Sequence, residues 1–110
     1  MTSMSDSDLL EHYGAMWQLS QNMLTAAKQA EWERLVELEQ ARATIVEELK
    51  REDKIVWQAA NGEKIAVLIR AILDADAEVK LLTESWMDKL QGTLENIGTQ
   101  QKLKKAYRAF

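Results

Sequence analysis

The chain has 110 residues, 46% of them hydrophobic and 29% charged, which suits one folded domain with a modest core and excludes both a disordered chain and two independent domains. It carries no cysteine, which excludes disulfides and thiolate metal sites, and no run approaches the roughly 18 apolar residues of a membrane span. Net charge is −4, but the last nine residues, KLKKAYRAF, hold four of the 14 basic side chains and none of the 18 acids, so an acidic body ends in a basic tail. That distribution argues against direct nucleic-acid binding, which needs a cationic face over the folded domain.

The opening MTSMSDSDLL lacks the basic and apolar regions of a secretion signal, so a cytoplasmic protein without membrane insertion is expected. Proline is absent, glycine occurs only at 14, 62, 92 and 98, and alternating strand patterns bounded by turn pairs are missing. The fold class is therefore all-α. Ser5 and Ser7 suit the N-cap of a first helix over about residues 8–28, with Asp6 and Asp8 near its positive end. Leu10, Tyr13, Trp17, Ser20, Leu24 and Ala27 form its apolar stripe at spacings of three and four.

A second helix, over about residues 31–51, carries Trp32, Leu35, Val36, Ile45, Val46 and Leu49. No breaker separates it from the first, yet a single helix from 8 to 51 would be roughly 65 Å long. A turn near Lys28 to Ala30 is the compact solution. KREDK at 50–54 and QAANG at 58–62 read as a connection, with IVW at 55–57 tucked against the bundle and Asn61 capping the third helix. That helix spans about residues 62–96, closed by Gly98, and Thr99 caps a short fourth helix over about 99–108. Residues 1–110 are thus one domain: an antiparallel bundle of three main helices plus a short C-terminal fourth.

Within the third helix, ILDADAEVK at 72–80 sets Asp74, Asp76 and Glu78 at every second position, as in a calcium loop. Helical phase rejects that reading. With Ile72 at zero and about 100° per residue, Ile65, Leu68, Ile69, Val79, Trp86, Met87 and Leu90 cluster around it as the buried face, while Asp74 and Glu78 fall on the far side. Asp76 falls near 40°, among apolar residues, with Lys80 four residues on as a suitable partner. No glycine stands at the sixth position of the loop frame, and Ser85 replaces the closing glutamate.

Other chemistry is equally thin. A di-iron bundle needs paired Glu-x-x-His motifs, and the only histidine, His12, reads as a surface residue. No phosphate-binding loop, nucleophile constellation or zinc motif appears, so neither enzymatic activity nor a cofactor or metal is expected. Of the four tryptophans, Trp17 and Trp32 read as core. Leu73 and Leu82 lie at the edges of the core face of the third helix and Leu81 outside it, so its apolar surface exceeds what a three-helix core needs. Such surplus suits a groove for a partner helix or a dimer contact.

Three segments carry a family resemblance. SQNMLTAAKQAEWERLVELE at 20–39 resembles the first-to-second helix region of the FliT family of flagellar export chaperones. IRAILDADAEVKLLTESWMDKL at 69–90 is similar to that family's long third helix, and QKLKKAY at 101–107 to its short fourth helix and Ala-Tyr ending. The resemblance covers roughly residues 9 to 108 and places the first turn near residues 28–31.

It implies a cytoplasmic chaperone that binds the C-terminal region of the filament-capping protein FliD, keeps it unassembled and delivers it to the type III export apparatus. In some members the free chaperone also binds the master regulator FlhDC. By position, the partner-binding residues would be Ile69, Leu73, Asp76 and Lys80, with Met87 further along and Tyr107 as the residue that docks on the export-gate protein FlhA. The basic tail is expected to pack over this flank in the free protein and to be displaced by cargo. The competing expectation is a helical regulatory adaptor that forms a homodimer through the same surplus surface.

Overall fold

Ser5 begins the first helix as the pattern predicts: its hydroxyl accepts from the Asp8 amide at 3.1 Å, and its own amide donates to the Asp8 carboxylate at 3.2 Å. This reciprocal box satisfies amide donors that a helix start leaves open. The computed structural model describes residues 5–51, 61–90 and 97–108, and among them the helices are α1 (Asp6–Lys28), α2 (Trp32–Lys50), α3 (Gly62–Leu90) and α4 (Ile97–Arg108), with no strand. The all-α bundle of three long helices and a short C-terminal one is what the composition and periodicity require.

The reversal between α1 and α2 is built without glycine. The Glu31 amide donates to the Ala26 carbonyl at 2.9 Å and the Ala30 amide to the Ala27 carbonyl at 3.2 Å, the paired bonds of a Schellman cap. Ala30 takes the left-handed position, at φ 57°, where glycine is the usual occupant. This conformation costs an alanine roughly 1–2 kcal/mol, so tertiary packing must hold it. Ala30 indeed packs against the main core cluster.

Asn61 occupies the cap position of α3, its carbonyl accepting from the Ile65 amide at 2.9 Å. The far end differs from expectation. Helix α4 already begins at Ile97, so Gly98 and Thr99 are its second and third residues and serve neither as the C-cap of α3 nor as the N-cap of α4. Ile-Gly-Thr-Gln carries weak local signals, and a start two residues earlier lies within the fraying of a helix end. The expected seat of Ile55 to Trp57, and residues 91–96, lie outside the described residues.

Consecutive helices run antiparallel. Helix α1 packs along both α2 and α3, and α4 also packs on both. The backbones of α2 and α3 therefore sit diagonally, and these helices reach each other through long side chains: Trp32 meets Trp86 edge to face at 6.1 Å, and Arg42 meets Asp76. Helix α3, at 29 residues about 43 Å long, dominates the longest dimension of a body measuring 53 × 25 × 17 Å.

The main core lies where α1 ends and α2 begins: Met23, Ala26, Ala27, Trp32, Leu35, Leu38, Val79, Leu103 and Ala106, with Trp86 and Met87 packed against it. Leu9, Ile65 and Ile72 are buried as well. The α1 stripe is rotated slightly from its expected position. Leu9, Ser20, Met23, Ala26 and Ala27 are buried, while Tyr13 and Trp17 are half-buried, so Trp32 is the true core tryptophan of the pair.

Candidate functional site

On α3, helical phase separates the carboxylates as calculated. Asp74 and Glu78 are exposed, and Glu78 lies 4.0 Å from Lys28 of α1. Asp76 turns toward the bundle and is only partly exposed. Among the described residues no group of three or more histidines or carboxylates is arranged to hold a metal.

The six residues expected to contact a partner do not share one environment. Leu73 is 61% exposed, Ile69 is half-buried beside it, and Lys80 is exposed. Ala66, Ile69, Arg70, Leu73 and Asp74 line a shallow depression of about 340 Å³ on the outside of α3. Met87, by contrast, is half-buried against the main core. Tyr107 lies on α4, and its side chain is outside the described residues. The surplus apolar surface continues at Val67 and Leu81, 70% and 66% exposed. Val67 was legible from the same angular count, since it falls about 220° from Ile72.

Asp76 departs most from the local expectation. Its partner is Arg42 of α2, whose Nη1 donates to Oδ1 at 2.6 Å, in place of Lys80 one turn along its own helix. The same nitrogen donates to the Ser20 hydroxyl of α1 at 3.0 Å, and that hydroxyl donates to the Met16 carbonyl at 2.8 Å. A helix spacing rule cannot find this contact, because Arg42 stands 34 positions from Asp76. A cross-bundle guanidinium also satisfies the carboxylate where water is restricted, which an exposed lysine on the same helix does less well.

Two further polar contacts organise the ends. His12 is partly buried and tied down, not a free surface residue: Nδ1 meets the Asp8 carbonyl at 2.7 Å and Nε2 meets the Glu48 carboxylate at 2.8 Å. Both neighbours accept hydrogen bonds, so the doubly protonated ring fits best. The Asp8 carbonyl, then Glu48, raise its pKa above the ordinary histidine value against the opposing effect of burial.

At the other end, Lys102 of α4 meets Glu33 of α2 at 2.7 Å and holds that carboxyl below its usual range. Helix α4 seats Leu103 and Ala106 over Trp32 and Val79. A cleft of about 260 Å³ beside it is lined by Trp32, Glu33, Val36, Glu37, Gln40, Lys102 and Lys105. The described part of the basic tail thus lies on α2 and the far half of α3. It leaves Leu73 uncovered, contrary to the expected lid, because its buried residues match the tryptophan end of the bundle.

The chain is similar to proteins of one flagellar family. A family model described as flagellar protein FliT matches residues 10–109. Similar curated proteins, each named flagellar protein FliT, come from Cronobacter sakazakii (31% identity, covering 89% of this chain and 82% of that protein) and Photorhabdus laumondii (29%, 94% and 83%). The protein of that name from Serratia proteamaculans is 32% identical, covering 93% of this chain and 84% of its own length. No solved structure gives a significant match.

Proposed function

Because this chain belongs to the FliT family of flagellar proteins, we propose that it is a cytoplasmic export chaperone for the filament-capping protein FliD. It binds the C-terminal region of FliD, prevents premature assembly and delivers it to the type III export apparatus, with Tyr107 contacting FlhA. In the free state it also binds FlhDC. It acts by reversible binding and needs neither covalent chemistry nor a cofactor.

The observation that carries this reading is the exposure of Leu73 beside half-buried Ile69 on the flank of a helix whose adjoining face is already core. A capping protein kept from assembling presents amphipathic segments that would otherwise pair with one another. A helix laid along α3 removes Leu73 from water, a contribution on the order of 1–2 kcal/mol for the exposed portion of a leucine. Lys80, exposed on the same flank, sets register by charge. Several such modest contacts give binding that export can reverse.

Calorimetry with a C-terminal FliD fragment tests the proposal. Leu73→Asp should abolish measurable binding while circular dichroism stays helical, since the side chain supports little of the core. Simultaneous loss of helicity would assign Leu73 to folding. Exposed Val67 and Leu81 favour the second reading, a dimerising adaptor, to the extent that they pair two copies. Light scattering separates the two, because an adaptor remains dimeric and ignores the fragment.

A further inference from the structure

The chain has three asparagines, Asn22, Asn61 and Asn96, and only Asn61 is followed by glycine. It stands immediately before α3, where its carbonyl accepts from the Ile65 amide at 2.9 Å. That bond ties the main chain and leaves the side chain uncommitted. Asn61 is only half-buried, and among the described residues no hydrogen bond holds its carboxamide. The start of α1 gives the contrast: there the cap side chain, Ser5, is occupied by the Asp8 amide at 3.1 Å.

Gly62 is the first residue of α3, so its N–H is one of those that a helix start leaves without an intrahelical acceptor. Having no Cβ, glycine also puts no side chain in the way of its own nitrogen. We propose that Asn61 is a site of spontaneous covalent modification, in which the Gly62 nitrogen attacks the Asn61 Cγ and closes a five-membered ring. The nitrogen gives up its proton, the Cγ–Nδ2 bond breaks, and the departing amide takes up a proton and leaves as ammonia. Water then opens the cyclic imide from the Asn61 side, since Gly62 is buried. Opening at Cγ gives aspartate on the original main chain. Opening at the main-chain carbonyl carbon gives isoaspartate, whose chain runs through Cβ and Cγ. Either product is the asparagine plus one water minus one ammonia, and no oxidant, reductant or cargo takes part.

The two products act oppositely on α3. Aspartate keeps the carbonyl that Ile65 bonds and adds negative charge at the positive end of the helix, which is favourable. Isoaspartate turns that same carbonyl into a free carboxylate off the main chain and lengthens the chain by one carbon just before buried Gly62. Ile65, at 0% exposure the first core side chain of α3, then loses the bond that anchors its turn. The first turn of α3 therefore frays in the isoaspartate form and stays closed in the aspartate form.

Incubation of the full chain at mildly alkaline pH, followed by tryptic digestion and mass spectrometry, tests the proposal. The peptide IVWQAANGEK, residues 55–64, should gain one mass unit and divide into two chromatographic species, while the peptides holding Asn22 and Asn96 stay unchanged. Asn61→Ser, which retains a capping side chain, should show no gain in that peptide. The proposal is overturned if residues 55–64 stay unmodified in the folded chain while a synthetic peptide of the same sequence converts. Conversion of Asn22 or Asn96 at a similar rate also overturns it, because glycine would then not select the site. Hydrogen exchange reads the consequence: the isoaspartate form, separated by ion exchange, should lose protection of the Ile65 amide by about tenfold or more, whereas Asn61→Asp keeps it. Equal protection in the two would overturn the effect on α3.

Discussion

Replacing Leu103 by alanine should detach α4 while leaving the other helices folded. Helix α4 has 12 residues, too few to be stable alone in water, so its helicity depends on docking. Its buried side chains among the described residues are Leu103 and Ala106, both at 0% exposure. Burying them contributes on the order of 2–4 kcal/mol. A buried leucine cut to alanine costs about 2–5 kcal/mol, which matches or exceeds the whole seat. The Lys102–Glu33 pair is exposed and adds little. Beneath α4, the Trp32 indole N–H is buried with no hydrogen-bond partner among the described residues. Letting water reach it offsets part of the loss on undocking.

Hydrogen exchange resolved by segment is the assay. Amides of residues 97–108 should lose their protection in Leu103→Ala while those of Asp6–Lys28 and Gly62–Leu90 keep theirs, and tryptophan emission should shift red as Trp32 is uncovered. The reasoning fails if α4 stays protected and the whole chain instead melts in one transition about 12–24 °C lower, the shift expected for roughly 3 kcal/mol lost from a single cooperative unit of this size.

Other predictions follow from the ends and the turn of the bundle. The pKa of His12 is raised, so its contribution to stability is complete below the ordinary value of 6.5 and disappears as pH climbs through the elevated one. Urea midpoints should therefore fall from about pH 5.5 to about pH 9 in the wild type, and His12→Gln should remove that part of the slope; an unchanged slope would acquit the histidine. Ala30→Val, a branched residue at φ 57°, should lose about 1–3 kcal/mol in denaturant titration, whereas Ala30→Gly should stay near or above the wild type. Ser5→Ala should cost about 1 kcal/mol and increase exchange in the first turn of α1, with no effect at α3.

Much of α3 was legible from its phase. The angular count placed Ile65, Ile72 and Val79 inside and Asp74, Glu78 and Leu81 outside, and the structure agrees. The count worked because one long uninterrupted helix keeps a constant rotation per residue. Turns were harder. The break after α1 bears no glycine or proline, since Ala30 is held left-handed by two carbonyls and by packing, so compactness and the family resemblance, not a local breaker, placed it near residues 28–31. Helix α4 begins two residues before its expected cap, where the local signals are weak.

The candidate site divides along the same line. Exposure of Leu73 and Lys80 follows from rotation about a single axis, which composition and spacing already contain. The partner of Asp76 does not, because it depends on which helix lies across the bundle and at what height. Spacing favoured Lys80, four residues away, and tertiary packing brought Arg42 from 34 residues away. Periodic sequence therefore determined that this chain is a helical bundle with an unsatisfied apolar flank on its third helix. Only the packing of α1 between α2 and α3 decided that the inward-facing acid on that flank pairs with Arg42, because pairing of partly buried charges is settled by neighbours in space and not along the chain.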